Sequence, residues 1–263
     1  MMQKFDFTDK VAIVTGAGGG IGRAASLALA GNGAKVVVVD LSEEAGNETV
    51  KQVQANGGEA VFIKADVTKE EDIQGYVAQT VEKFGKIDIF LNNAGWEGKI
   101  VPLVEYPTEA FDRLMAINVR GVFLGLKHVL PQMIAQKSGA IVNTASGAGL
   151  LATPNMVAYG ASKHAVLGMT KTAGVEAAPY GVRVNAVCPG VVNTQMMRSI
   201  ESGFGKGNQE AAEAARQQMA NTTPDGRYAE AEEIANLMMY LVSDLSTHIV
   251  GQEFVIDGGS ILI

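Results

Sequence analysis

A single cysteine, Cys188, stands in a chain of 263 residues, which excludes an intrachain disulfide. Histidine is almost as scarce. His128, His164 and His248 lie far apart in sequence, so no metal-ligand spacing appears and no metal is expected. Positive charge is in deficit, 21 Lys and Arg against 28 Asp and Glu, and the net charge of −7 argues against non-specific nucleic-acid binding. No apolar run reaches the roughly 18 residues a membrane span requires. The N-terminus, Met1-Met2-Gln3-Lys4-Phe5-Asp6, lacks the apolar core of a signal peptide. No Pro/Gly/Ser-rich linker divides the chain and no short-period repeat is visible, so one domain is expected. The sum of these absences predicts a cytoplasmic, metal-free protein that touches neither membrane nor nucleic acid.

What is present starts with glycine. Val11-Ala12-Ile13-Val14 is a β-branched apolar run that reads as a strand buried on both faces. It leads into Thr15-Gly16-Ala17-Gly18-Gly19-Gly20-Ile21-Gly22 and then an Ala/Leu-rich helix over about 23–32. A strand, a glycine turn and a helix N-terminus make an anion site, because the first-turn N–H groups and the helix dipole both favour negative charge. Glycine spacing alone is weak evidence. Ile21 occupies the third-glycine position of G-x-G-x-x-G, and a ligand-free strand–helix connection has the same look.

Further along, apolar strands alternate with helical stretches. Strands read at 35–40, 60–63, 87–91, 140–143, 182–187 and 253–256. Helices read from Ser42 to about Ala55, and from a Thr68-x-x-Glu71 capping box to about Phe84. A long helical region starts near Thr108, with an interruption or bend expected at Pro131, and further helices cover 158–177 and 230–242. This alternation implies right-handed βαβ crossovers, hence an α/β fold: a doubly wound, Rossmann-type parallel sheet with helices on both faces. Ligands in such sheets bind beyond the carboxyl ends of the strands. The polar residues that stand out all sit there: the glycine loop, Asp40, Asp66, Asn92, Ser146 and Pro189-Gly190.

Asp40 ends the second strand, 18 residues beyond Gly22. A carboxylate at that place accepts from both hydroxyls of an adenosine ribose and repels a 2′-phosphate, which favours NAD(H) over NADP(H). A strand-end aspartate capping the next helix is the plainer alternative. Tyr159 and Lys163, at i and i+4, share one helix face, where the ammonium should favour phenolate and let Tyr159 exchange a proton near neutral pH. Ser146, after the fifth strand, lies where it could bind the same substrate oxygen. Taken singly, Tyr-x-x-x-Lys is a common surface pair and the serine a common turn residue.

Together these residues resemble the short-chain dehydrogenase/reductase family over essentially the whole chain. The resemblance is carried by Thr15-Gly16-x-x-x-Gly20-x-Gly22, Asp66-Val67, Asn92-Asn93-Ala94-Gly95, Asn118, Ser146, Tyr159-x-x-x-Lys163, Pro189-Gly190 and Asp257-Gly258-Gly259. It implies a nicotinamide-dependent oxidoreductase. Tyr159 would be the general acid/base, Ser146 would polarise the carbonyl, and Lys163 would hold the nicotinamide ribose and keep the tyrosine acidic. Asn118 would hold a water that links Lys163 to solvent. For the cofactor it implies contacts from Gly16, Gly20, Ile21 and Gly22, from Asp40 and Leu41, and from Asp66 and Val67 at the adenine. Asn92, Ala94 and Gly95, then Pro189, Gly190, Val192 and Thr194, complete that set, and Asp257-Gly258-Gly259 would be structural.

The substrate side is less determined by sequence. Trp96, Glu97, Ser146, Ala148, Met156, Tyr159, Val191 and Met196 are the expected pocket residues, with a mobile lid over about 194–223. Met196, Met197, Ile200 and Phe204 either close an apolar pocket or pack inside a helical hairpin. A small-molecule substrate is expected: a medium-sized, apolar, cyclic secondary alcohol or ketone. Within the family, Asn93-Ala94-Gly95-x-Glu97-Gly98-Lys99 resembles cyclic-ketone (levodione-type) reductases, and the chain also resembles cyclic-diol dehydrogenases. A 3-oxoacyl-thioester reductase and a non-catalytic NAD(H) sensor are the alternatives. The resemblance also implies a homotetramer.

Overall fold

A computed structural model describes residues 5–262. Met1–Lys4, part of the stretch read above as lacking a signal, and Ile263 lie outside the described residues. Among the described residues seven parallel strands form one sheet in the order β3-β2-β1-β4-β5-β6-β7. They are β1 Val11–Thr15, β2 Lys35–Asp40, β3 Glu59–Lys64, β4 Ile89–Asn92, β5 Gly139–Thr144, β6 Val182–Pro189 and β7 Glu253–Ile256. The helices are α1 Gly20–Gly31, α2 Glu43–Ala55, α3 Glu70–Phe84, α4 Thr108–Met115, α5 Gly121–Gln136, α6 Val157–Ala177, α7 Gln195–Phe204, α8 Gln209–Thr222 and α9 Ala231–Val242.

Side chains alternate across each strand, so the sheet divides its apolar residues between two cores. Ala12, Val14, Val36, Val38, Leu91 and Val142 pack with α1 and α9, through Leu29, Ile234, Met238 and Leu241. Ile13, Val37, Val39, Phe90 and Ile141 face the other way, onto Ile73 and Tyr76 of α3, Val129 and Met133 of α5, and Val166 of α6. A strand covered on both faces has no polar side, which is why β1 and β2 read as unbroken apolar runs. Ile13, Val37 and Phe90 are fully buried, and each such side chain contributes about 1.5–3 kcal/mol.

Two sequence expectations are corrected here. Thr68 does not cap α3: its hydroxyl and N–H both bond Asp66 Oδ1, at 2.7 and 3.0 Å, and Lys69 occupies the N-cap without a side-chain bond. Pro131 does not break its helix either. The irregularity falls earlier, in a π-turn at Ala116–Arg120 between α4 and α5. The strand order reverses direction between β1 and β4, which opens a crevice at their carboxyl ends.

Candidate active site

At that crevice Thr15 joins the two strands. Its hydroxyl accepts from Asn93 N at 3.0 Å and Ala94 N at 3.1 Å. Asn93 returns Nδ2 to Thr15 O at 3.0 Å and accepts from the Thr144 hydroxyl at 3.1 Å. The ends of β1, β4 and β5 are thereby tied edge to edge. Neither Thr15 nor Thr144 was expected as a site residue. Their signal is that each is the last, polar residue of its strand, Thr15 after four apolar residues and Thr144 after Asn143.

The glycine loop lies on this frame. A Cβ on Gly22 would stand 2.2 Å from Gly16 O, and one on Gly16 would stand 2.9 Å from Ala94 Cα. Gly16 and Gly20 also have φ of +63° and +48°, in the left-handed region. These glycines keep a bare cradle of backbone N–H groups at the start of α1, with the polarity a diphosphate needs. Asp40 stands at its edge, where Oδ2 accepts from Gly18 N at 2.8 Å and Oδ1 from Ser42 N at 2.9 Å. The carboxylate thus has a fixed position, and it faces the same cavity as Gly16 and Gly20. Arg23 is near in space, but its guanidinium is engaged by Gly18 O and, at 3.0 Å, by the Thr49 hydroxyl. No ion pair joins Arg23 to Asp40 among the described residues.

A cavity of about 620 Å³ runs from this cradle past Ser146, Tyr159 and Lys163 to the α7–α8 hairpin. Ser146 lies two residues beyond β5 and caps a short 3₁₀ turn, its hydroxyl accepting from Ala148 N at 3.2 Å. Tyr159 and Lys163 project from the first turns of α6, with Lys163 Nζ 5.5 Å from the Tyr159 ring centre. Lys163 is buried and its Nζ donates to Thr144 O at 2.8 Å. Burial lowers its pKa to about 8, the Cys188 thiol nearby opposing that shift. Burial also pushes the Tyr159 phenol up, with the Ser146 hydroxyl pulling the other way and the Glu97 carboxylate adding to the rise. The expectation of a phenol that exchanges near neutral pH is therefore corrected for the free chain. Desolvation is the largest cause, and the Lys163 ammonium is turned to a backbone carbonyl.

Asn118 sits in the π-turn, fully buried. Its amide accepts from Trp96 N at 2.8 Å and donates to Trp96 O at 2.8 Å and to Ser162 Oγ at 3.1 Å. It clamps the segment after β4 against α6. A Cβ on Gly95 would meet Asn118 Oδ1 at 3.5 Å and Lys163 Nζ at 3.6 Å, in ordinary van der Waals contact with both.

Of the other expected residues, Ile21, Ala94, Gly95, Pro189, Gly190, Val192 and Thr194 line the cavity, as do Ala148, Met156, Val191 and Met196. Asn92 does not. It is buried, and its Nδ2 donates to Val122 O at 3.0 Å. Gly22 lies beneath the loop. Leu41, Asp66 and Val67 sit outside the cavity wall, Leu41 being 61% exposed beside Asp40. Trp96 and Glu97 lie behind the wall, Trp96 with the Arg113 guanidinium 4.8 Å from its ring centre. Leu151, Thr153 and Pro154, which the sequence did not single out, complete the wall, with Gln195 and Met219 of the expected lid and Ile261 near the C-terminus. Met196, Met197, Ile200 and Phe204 satisfy both earlier readings at once: they belong to a helical hairpin and its inner face closes the cavity.

A doubly wound sheet with a bare glycine cradle at its switch point and a side-chain triad in the adjoining cavity defines a dinucleotide-binding enzyme. Comparison with known proteins narrows the class. A family profile described as "Enoyl-(Acyl carrier protein) reductase" matches residues 16–260. Levodione reductase of Leifsonia aquatica is 41% identical over 256 residues, covering 96% of this chain and 94% of that protein. Cyclohexanol dehydrogenase of Acinetobacter sp. (strain SE19) is 37% identical over 252 residues, covering 96% and 95%. The crystal structure of an NAD+-bound xylitol dehydrogenase superposes with a TM-score of 0.93 at 41% identity, covering 96% of this chain and 99% of that one. The chain belongs to the short-chain dehydrogenase/reductase family and is an oxidoreductase acting on CH–OH groups.

Proposed function

We propose that this enzyme transfers a hydride between NAD(H) and a medium-sized, cyclic, apolar secondary alcohol or ketone. The observation that carries this reading is the shared cavity: Ser146, Tyr159 and Lys163 face the same 620 Å³ space as the glycine cradle and a wall of Met, Leu, Ile and Phe side chains. NAD(H) is the cofactor. Asp40, fixed by Gly18 and Ser42, meets the ribose hydroxyls, and no free cation stands beside it among the described residues to receive a 2′-phosphate. The relatives named for levodione, cyclohexanol and xylitol support an alcohol–ketone interconversion, and the apolar wall favours a carbocycle over a polyol, whose hydroxyls would lose water without finding partners.

The nicotinamide, when bound, gives or accepts the hydride; the protein handles the proton and the oxygen. Ser146 Oγ donates to the substrate oxygen and orients it. The Tyr159 hydroxyl delivers a proton to that oxygen in reduction and removes it in oxidation. The Lys163 ammonium stabilises the phenolate left behind, once it turns from Thr144 O toward the ribose and the phenol. Both amide hydrogens of Asn118 are engaged, so a relay water near Lys163 bonds main-chain atoms of the π-turn, and the Asn118 side chain holds that turn in place. The α7–α8 hairpin, 195–222, is the lid of the site, and its Met and Ile side chains exclude water when it closes. The molecule assembles as a homotetramer through α4–α6, whose exposed Phe111, Phe123 and Val175 need a partner surface; light scattering reads the mass.

The test is turnover followed at 340 nm with cyclic and acyclic alcohols and ketones, each with NAD(H) and NADP(H). Reduction of a cyclic ketone with NADH, lowered about 10²–10⁴-fold in Tyr159→Phe with NADH affinity retained, is the expected outcome. Preference for NADPH and an acyl thioester would replace this reading with the thioester reductase. NADH binding without turnover of any substrate would favour the sensor.

A further inference from the structure

The C-terminal turn after β7 has no part in the chemistry above, yet it forms one wall of the same cavity. Asp257, Ser260 and Ile261 face the space that Ser146 and Tyr159 face. Gly258 and Gly259, at φ +64° and +93°, fold the chain back on itself. One carboxylate then locks the fold: Asp257 Oδ1 accepts from Gly259 N at 2.9 Å and Oδ2 from Ile261 N at 2.8 Å. The Ser260 hydroxyl adds a bond to Asp257 O at 2.8 Å. Below, a Cβ on Gly190 would stand 2.8 Å from Asp257 Cα, so the turn is seated directly on the end of β6.

This seating fixes where Ile261 goes. Gly147 follows Ser146 in the chain, and a Cβ there would lie 3.7 Å from Ile261 Cγ2, an ordinary van der Waals contact. The isoleucine therefore occupies the room left beside the residue that holds the substrate oxygen. On its other side the turn abuts the segment that ends the hairpin. Built Cβ atoms on Gly258 and Gly259 would meet Asp225 Oδ1 at 2.5 Å and Pro224 Cγ at 3.2 Å. The turn is a wedge between the Ser146 end of the cavity and the α7–α8 hairpin, and its apolar tip is Ile261.

We propose that Ile261 sets the size limit for the substrate at the Ser146 end of the cavity and that Asp257 is the positioning residue that holds it there. This rests on the cavity being the ketone–alcohol site. Two ketones test it, cyclohexanone and the bicyclic 2-decalone. In Ile261→Ala the ratio of kcat/KM for decalone over cyclohexanone should rise about tenfold or more, because three carbons leave the wall. NADH affinity should stay within about twofold of the wild type. Ile261→Val should return the ratio most of the way. Asp257→Asn keeps the size but turns one acceptor into a donor that faces an N–H group, so it should shift the ratio in the same direction without touching substrate. If that variant fails to fold, the two Ile261 variants decide. An unchanged ratio in Ile261→Ala overturns the proposal.

Failure of the underlying reading looks different. If the wild type turns over neither ketone, calorimetric titration of each ketone into the NADH complex replaces kinetics. A shift in the ratio of dissociation constants in Ile261→Ala still upholds the role of Ile261, and an unchanged ratio, or no binding of either ketone to either protein, overturns it.

Discussion

At Lys163 two demands conflict. The proposed chemistry needs an ammonium there, while the fold buries it near Gly95 with one hydrogen bond, to Thr144 O. Burial brings its pKa from 10.5 to about 8. Below pH 8 the folded and unfolded chains both carry the proton, and the folded state bears the whole cost of the buried charge, about 3 kcal/mol for a shift of that size. Between about 8 and 10.5 the unfolded chain binds more protons than the folded one, so the stability of the fold rises with pH across that window. Lys163→Met removes the titration. The unfolding free energy of the wild type relative to Lys163→Met, from urea denaturation, should therefore move toward the wild type by about 2.5 kcal/mol between pH 7 and 10. A difference that stays flat would mean that Lys163 titrates near its ordinary value and is better hydrated than its burial implies. The i, i+4 spacing placed Tyr159 and Lys163 on one helix face. Their proton affinities were out of its reach, because burial is made by residues far away in sequence, such as Gly95 and Thr144.

The glycine loop shows what an element adds to its residues. Gly22, an expected cofactor contact, leaves no room for a side chain in the fold. A methyl group there would lie 2.2 Å from the Gly16 carbonyl oxygen, which is backbone and cannot rotate away, and 2.8 Å from Asn93 Nδ2. Gly22→Ala should cost about 1–3 kcal/mol in unfolding free energy, the range for overpacking a tight site. It should also weaken NADH binding, measured by fluorescence, about tenfold or more, since the loop must open where the diphosphate sits. Normal affinity together with normal stability would show that the loop has slack which the contact distances deny. Elements with strong periodicity or a firm apolar run were legible: β2 and β7 begin and end where the sequence places them, and α2 starts on its Ser42 cap. The π-turn around Asn118 was not. No residue type marks it, and it arises where Asn118 reaches across to the Trp96 backbone. The short run Thr68-x-x-Glu71 misled, because an equally local partner, Asp66 two residues earlier, takes the Thr68 hydroxyl and N–H.

On the scale of the whole molecule, charge and cavity act in the same direction. The chain carries seven more negative than positive charges, so an anion approaches against the field. Inside, the charged residues on the cavity wall are Asp40, Lys163 and Asp257. In the proposed mechanism Lys163 serves the proton chemistry and Asp40 the cofactor end, and Asp257 has both carboxylate oxygens bonded to backbone N–H groups. Nothing on that wall is free to pair with a substrate carboxylate, and stripping water from an unpaired carboxylate is costly. A cyclic ketone and the same ketone with a carboxylate on the far carbon are nearly equal in ring size, so they separate charge from shape. The neutral ketone should have the higher kcat/KM by about 10²-fold or more, the discrimination expected when a buried polar group is left without a partner. Raising the salt concentration should narrow the gap only slightly, because screening relieves the long-range repulsion and leaves the desolvation cost in place. A gap that closes in salt would assign the preference to the surface field. Comparable rates at low salt would mean that a cation reaches the cavity when the α7–α8 hairpin closes, with Arg198 of α7 the first to substitute.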